Sequence, residues 1–133
     1  MKERGQQTRT EVLREVSRSI PALMRGCKLM SKAARAGVEA GDIQALAREA
    51  AAAVENCAGN ADSEKALGDA LLLVCALARK AKVDPEIALN EALDRFVNRF
   101  AKLEENLKNQ GISMPDEAGR AGQYWDCVKL REN

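Results

Sequence analysis

Apolar residues recur three and four apart along most of this chain and nowhere alternate over a useful length, a pattern that predicts helices and no strands. Ser19, Ile20 and Pro21 open a segment that carries Leu23, Met24, Leu29 and Met30 and stops at Gly37. Proline suits a first helical turn because the amide hydrogen it lacks has no partner there. Asp42 caps a second helix, alanine-rich from Ala45 to Ala53 and ending near Gly59. Asp62 or Ser63 starts a third, whose Leu67, Leu71, Leu72, Val74, Cys75 and Leu77 cover every side. Such a helix is expected to be central and buried all round. Asp84, Pro85 and Glu86 start a fourth, which carries Leu89, Leu93, Phe96, Phe100, Leu103 and Leu107 and stops at Gly111. A short fifth helix follows Pro115 and carries Trp125 and Lys129.

The fold predicted is therefore all-α: a bundle of four main helices plus a short C-terminal helix. Residues 1–18 read as a flexible or helical leader and 19–133 as a single domain. Short polar turns make successive helices antiparallel neighbours. The apolar third helix calls for more neighbours than one chain supplies, so a homodimer is expected.

Composition narrows the chemistry. The 133 residues include no histidine, which excludes Ser-His and Cys-His nucleophile pairs, His-ligated zinc and imidazole acid/base catalysis. Carboxylates, lysine, cysteine or an oxygen-ligated metal remain. Lysine and arginine number 21 against 20 acids, and this net charge of +1 argues against a nucleic-acid partner. The polar start at Met1 to Gln7 is no signal peptide. The most apolar run, Ala66 to Ala81, is broken by Asp69 and Arg79 and is too short for a membrane span, so a cytoplasmic protein is expected. Cys27, Cys57, Cys75 and Cys127 are far apart, without a CxxC, and read as reduced thiols packed like small apolar residues.

Turn arithmetic indicates where charged groups meet. With one turn centred near Gly59, Glu49 and Asp69 lie ten residues to either side and share a level in an antiparallel hairpin. With the next turn centred near Val83, the level of Asp69 falls near Val97, flanked by Arg95 and Arg99, four apart on one face. Asp69 interrupts the most apolar helix, where an unpaired carboxylate is costly to bury. Two readings follow: a buried salt bridge to one of the arginines, or a site where carboxylates hold a divalent cation and arginines hold phosphate. Lys28, Lys32 and Arg35 either extend an anion site or form a solvated helix face. Trp125, the only tryptophan, either anchors the last helix or stacks on a base while Lys129 contacts phosphate.

On these residues the sequence resembles the C-terminal domain of MazG-type nucleoside triphosphate pyrophosphohydrolases. The resemblance rests on Ser19 to Arg25 with Lys28 and Leu29, on Lys32 to Gly37, and on Leu67 to Leu71 running on to Arg79. Asp84 to Leu89, Arg95 and Phe96 with Arg99 and Phe100, and Trp125 with Val128 and Lys129 complete it, in order and with matching spacing. It implies a dimeric helical bundle that binds a nucleoside triphosphate with Mg²⁺ or Mn²⁺ and cleaves between the α- and β-phosphates. It also implies metal ligands in an ExxE pattern on one helix and an ExxD pattern on the next, a chemistry that needs no histidine. Carried onto this chain, Asp69 is the Asp of ExxD and Glu49 the second Glu of ExxE, and both are the candidate catalytic and metal-binding residues. Lys28, Lys32, Arg95, Arg99, Trp125 and Lys129 are the candidate nucleotide-binding residues.

The departures bear directly on activity. Ala66 stands three residues before Asp69, and Leu46 three before Glu49, where the pattern has glutamates. Ala76 replaces the usual asparagine of the central helix, and Ala40 the aromatic of a Phe-Asp-Trp stretch. Two carboxylates in place of four leave Mg²⁺ or Mn²⁺ weakly held, if held at all, without substrate phosphates. The expectation is a pyrophosphohydrolase relative of weak or lost activity. The alternative is a non-catalytic nucleotide-binding or dimeric interaction module.

Overall fold

The structure is a computed structural model that describes residues 8–39, 41–58, 62–114, 122 and 125. Among them every regular element is helical: α1 (Arg9–Arg14), α2 (Ala22–Arg35), α3 (Ile43–Cys57), α4 (Ser63–Lys80) and α5 (Pro85–Asn109). The chain divides into two compact units, Met1–Ala88 and Leu89–Asn133, with the division inside α5.

The helix starts follow from side chains that satisfy the first free amides. Thr8 and Glu11 close a capping box on α1, each side chain accepting from the other's backbone amide at 3.1 Å. Pro21 precedes α2. Asp42 accepts from the Ala45 amide at 2.7 Å to start α3, and Asp62 from the Lys65 amide at 3.2 Å to start α4. Asp84 Oδ1 accepts from the amides of Glu86 and Ile87, at 2.9 and 3.3 Å, to start α5.

Three helices end on the same turn, in which a residue with positive φ lets two amides reach back to the last carbonyls. Gly37 (φ 96°) serves α2 and Gly111 (φ 74°) serves α5, as their places in the sequence predict. After α4 the position falls to Lys82 (φ 59°), and the Val83 amide bonds the Ala78 carbonyl at 2.9 Å.

In the first unit α3 and α4 form the principal packed pair, and α2 lies against α4. The approach of α2 is set by Gly26: a β-carbon there would lie 2.8 Å from Cys75 Sγ, so only glycine fits without a shift. Cys75 Sγ in turn reaches the Leu23 carbonyl at 3.7 Å. Beyond the far end of α2, Glu39 meets Lys80 at the end of α4. The two helices therefore run in the same direction, as two consecutive antiparallel turns require.

The expectation that α4 is buried on every side is not met. Its buried residues are Ala70, Cys75 and Ala76, whereas Leu67, Leu71, Leu72 and Val74 remain 40–52% exposed. The fully buried residues of α4 are thus small ones, and Leu73 and Leu77 are half-buried beside them. In the second unit Leu103, Leu107 and Ile112 form a buried cluster, with Met114 and Trp125 packed on it. The fifth helix expected after Pro115 lies largely outside the described residues, though Gly122 and Trp125 are helical. Cys27, Cys57 and Cys75 are free thiols, and Cys127 lies outside the described residues. Among the described residues no helix is long and apolar enough to cross a membrane.

Candidate functional site

Two places in the first unit bring polar side chains together, and they lie toward opposite ends of α4. One is built on α2. Lys28, Lys32 and Arg35 are spaced four and three apart and so share one face of that helix. With Met24, Cys27, Ser31, Asp84 and Pro85 they line a cavity of about 360 Å³. Asp84 is the carboxylate that caps α5, so its charge is already directed at backbone amides. Nearby, Glu39 Oε2 binds Lys80 Nζ at 2.8 Å and Arg79 Nη1 at 3.6 Å. The Lys80 hydrogen bond holds the Glu39 carboxyl below its ordinary range, with the two positive charges adding to the effect. Burial pushes the Cys27 thiol up, the Asp84 charge pushes it further, and Arg79 opposes both.

The other place carries the acids. Asp69 is exposed, not buried as its place in an apolar helix suggests. Its Oδ2 accepts from Lys65 Nζ at 2.8 Å, one turn back on α4, and the two side chains are 56% and 72% exposed. The reason is angular: Ala70 is buried, and Asp69, one residue earlier, is turned about 100° away from that side. The hydrogen bond that Lys65 donates to Asp69 raises the pKa of the Lys65 ammonium above its usual range. Ala53, Asn56, Asp62, Lys65, Ala66 and Asp69 border a shallow cavity of about 200 Å³. Glu49 is exposed on α3. Leu46, where the resemblance places a metal-binding glutamate, is 0% exposed and forms the α3 seam with Ala50.

These residues do not fit a resident magnesium or manganese ion. Such an ion needs about six oxygen ligands in a near-octahedral shell. Among the described residues no three or more acids or cysteines come together where one could be held. Asp69 is engaged by a lysine, and the two positions that would complete the set hold a buried leucine and an alanine.

The other predicted site residues belong to the second unit. Arg95 is exposed and Arg99 half-buried on α5. The Trp125 ring lies 5.3 Å from that of Phe96 at 57°, and it packs on the cluster of Leu103, Leu107 and Ile112. Lys129 lies outside the described residues. Ser31, Cys27 and the Asp84–Pro85 corner were not anticipated as cavity walls. The lysine spacing on α2 was the visible signal, but the loop that closes the cavity comes from 50 residues further along the chain.

No family model matches the chain. It is 30% identical over 142 aligned residues to the nucleoside triphosphate pyrophosphohydrolase of Escherichia coli K12, an alignment covering 98% of this chain and 53% of that protein. The figures are the same for the protein of that name from Escherichia coli O157:H7. It is 27% identical over 119 residues to the nucleoside triphosphate pyrophosphohydrolase/pyrophosphatase MazG of Thermotoga maritima, covering 86% of this chain and 47% of that protein. The chain spans about half the length of the curated relatives it matches. Along nearly all of its own length, it is similar to a portion of the MazG-type nucleoside triphosphate pyrophosphohydrolases.

Proposed function

We propose that this chain is a nucleotide-binding relative of the MazG-type pyrophosphohydrolases in which hydrolysis of a nucleoside triphosphate to monophosphate and pyrophosphate is weak or lost. One observation carries the reading: the positions of two expected metal ligands are Leu46, fully buried in the α3 seam, and Ala66, while Asp69 is paired with Lys65. An attacking water near neutral pH needs a strong base or a metal to lower its pKa. Glu49 and Asp69 alone supply two carboxylates, so any Mg²⁺ or Mn²⁺ arrives largely with the substrate phosphates. Nucleotide binding is the part of this chemistry that needs only cations; the candidates are Lys28 and Lys32 in the first unit and, separately, Arg95 and Arg99 in the second, with Lys129 and the Trp125 ring as further candidates.

A homodimer belongs to the same proposal. Leu67, Leu71 and Leu72 on α4 are about half exposed, and large apolar side chains gathered along one helix favour a covering partner. The test is pyrophosphate release from a panel of nucleoside triphosphates with Mg²⁺ or Mn²⁺, beside Asp69→Ala. Turnover indistinguishable from the Asp69→Ala control is expected. Robust turnover that Asp69→Ala abolishes would refute the loss of catalysis.

A further inference from the structure

We infer that the cavity between α2 and the start of α5 is a metal-independent binding site for a phosphate chain, separate from the acidic residues of α4. Lys28, Lys32 and Arg35 line it against a single carboxylate, Asp84, leaving two net positive charges on a space of about 360 Å³. Such a volume lies at the small end of ligand sites. Asp84 offers little competition for the cations, because its Oδ1 is taken by the amides of Glu86 and Ile87. Glu39 is held by Lys80 and Arg79. Among the described residues, none of Lys28, Lys32 or Arg35 has an ion-pair partner.

Three cations on one helix face against a single carboxylate repel one another, and a polyanion relieves that repulsion. Met24, Cys27 and Pro85 supply an apolar wall that reduces solvent screening of the charges. Ser31, half-buried between the lysines, adds a hydroxyl that can donate to a phosphate oxygen. The start of α5 borders the same space through Asp84 and Pro85, and Pro85 lacks an amide hydrogen that would otherwise need a partner.

The acids stand apart from this place. Asp69 precedes Lys80 by eleven residues on α4, so it lies roughly 16 Å along the axis from the end where the cations gather. A phosphate chain seated among the α2 cations is out of reach of Asp69, and it is bound without being cleaved there. The proposal rests on the reading that the chain takes polyphosphates, and it assigns the place.

Cys27 lines the cavity and reports on its occupancy. The experiment is iodoacetamide labelling of the full chain in EDTA, read peptide by peptide by mass spectrometry, with Cys57 as the internal standard. Inorganic triphosphate is expected to slow Cys27 labelling about tenfold at saturation and to leave Cys57 unchanged. K28A/K32A should lower the affinity for triphosphate by at least about tenfold, since each lysine contributes a charge-assisted hydrogen bond. Should K28A/K32A not fold, R35E reverses an exposed charge and must give the same loss. Protection by triphosphate and ATP alike supports a site that reads the phosphate chain. Protection by ATP alone would move recognition to the nucleoside and overturn the assignment, and protection by neither overturns the site. The assay contains no metal and reads no pyrophosphate. Absent hydrolysis therefore leaves the proposal standing, whereas turnover without Cys27 protection overturns it alone.

Discussion

Replacing Leu46 with glutamate restores in name the acid that the resemblance expects, and the structure says what that change does to the fold. Leu46 is 0% exposed, so Leu46→Glu forfeits the burial of a whole leucine, about 1.5–3 kcal/mol. It also puts a carboxyl where the charged form is disfavoured. A fully buried carboxyl has its pKa raised by up to about 3–5 units, and each unit corresponds to about 1.4 kcal/mol. The sum at neutral pH is roughly 5 kcal/mol or more, a large part of the 5–15 kcal/mol that holds a typical domain together. The sign with pH is fixed. A raised folded-state pKa means the neutral carboxyl is tolerated below the unfolded pKa near 4.3 and the penalty grows as pH rises above it. Urea unfolding followed by circular dichroism at acid and neutral pH measures this, with Leu46→Ala, expected to cost about 2–5 kcal/mol at both, as the reference. Ala66→Glu, on a half-buried site beside Lys65, is expected to cost under about 1 kcal/mol. In the double variant Leu46→Glu/Ala66→Glu, Mn²⁺ at a hundred times its Kd should return about 2.7 kcal/mol. A Leu46→Glu variant as stable as the parent at neutral pH would refute the interior placement of this position. A double variant whose unfolding ignores Mn²⁺ would refute the alignment of Leu46 and Ala66 with the missing ligands.

Two further outcomes follow from single contacts. Gly26→Ala places a β-carbon 2.8 Å from Cys75 Sγ, and the overpacking cost of about 1–3 kcal/mol outweighs the helix-propensity gain of just under 1 kcal/mol. A melting curve should show net destabilisation, and Cys75→Ala, which removes the sulfur, should reverse most of it; equal stability of Gly26→Ala and the parent would show that α2 gives way. Glu39, whose pKa is lowered chiefly by the Lys80 hydrogen bond, contributes stability that is present above its unfolded pKa and is lost as pH falls through the lower folded value. Glu39→Gln should therefore lower the plateau of a stability–pH profile around pH 7 and flatten its acid side, and an unchanged acid limb would count against the Glu39–Lys80 contact.

The parts of the fold legible in the sequence were those written in local chemistry. Asp42, Asp62 and Asp84 announce helix starts because a short side-chain oxygen reaches the free amides two or three residues on, and all three do so. Gly37 and Gly111 mark stops because glycine accepts positive φ without cost. The stop after α4 was harder to see because Lys82 carries the same conformation on a side chain that disfavours it. Which side of α4 faces its neighbours was not legible, although the stripe of α5 did contain its buried Leu103 and Leu107. The leucines of α4 outweigh its alanines in any hydrophobic pattern, yet Ala70 and Ala76 make the seam with Cys75, because close helix approach selects for small volume. The same angular question decided the candidate site: one residue of rotation separates the buried Ala70 from the exposed Asp69.

That rotation also gives the balanced charge of the chain its meaning. Among the described residues of the first unit, six acids are committed to structure. Asp42, Asp62 and Asp84 cap helices, Glu11 closes a capping box, Glu39 ties down the end of α4, and Asp69 pairs along its own helix. Caps and ion pairs of this kind leave carboxylates spread over the helix ends, each close to one amide or one ammonium, whereas a divalent cation needs several of them converging on a point. The cations divide differently. Lys65, Arg79 and Lys80 answer acids, while Lys28, Lys32 and Arg35 face a cavity. A total charge near zero is thus the sum of acids dispersed by capping and cations gathered on one helix face, and only the second arrangement concentrates potential where a ligand can enter.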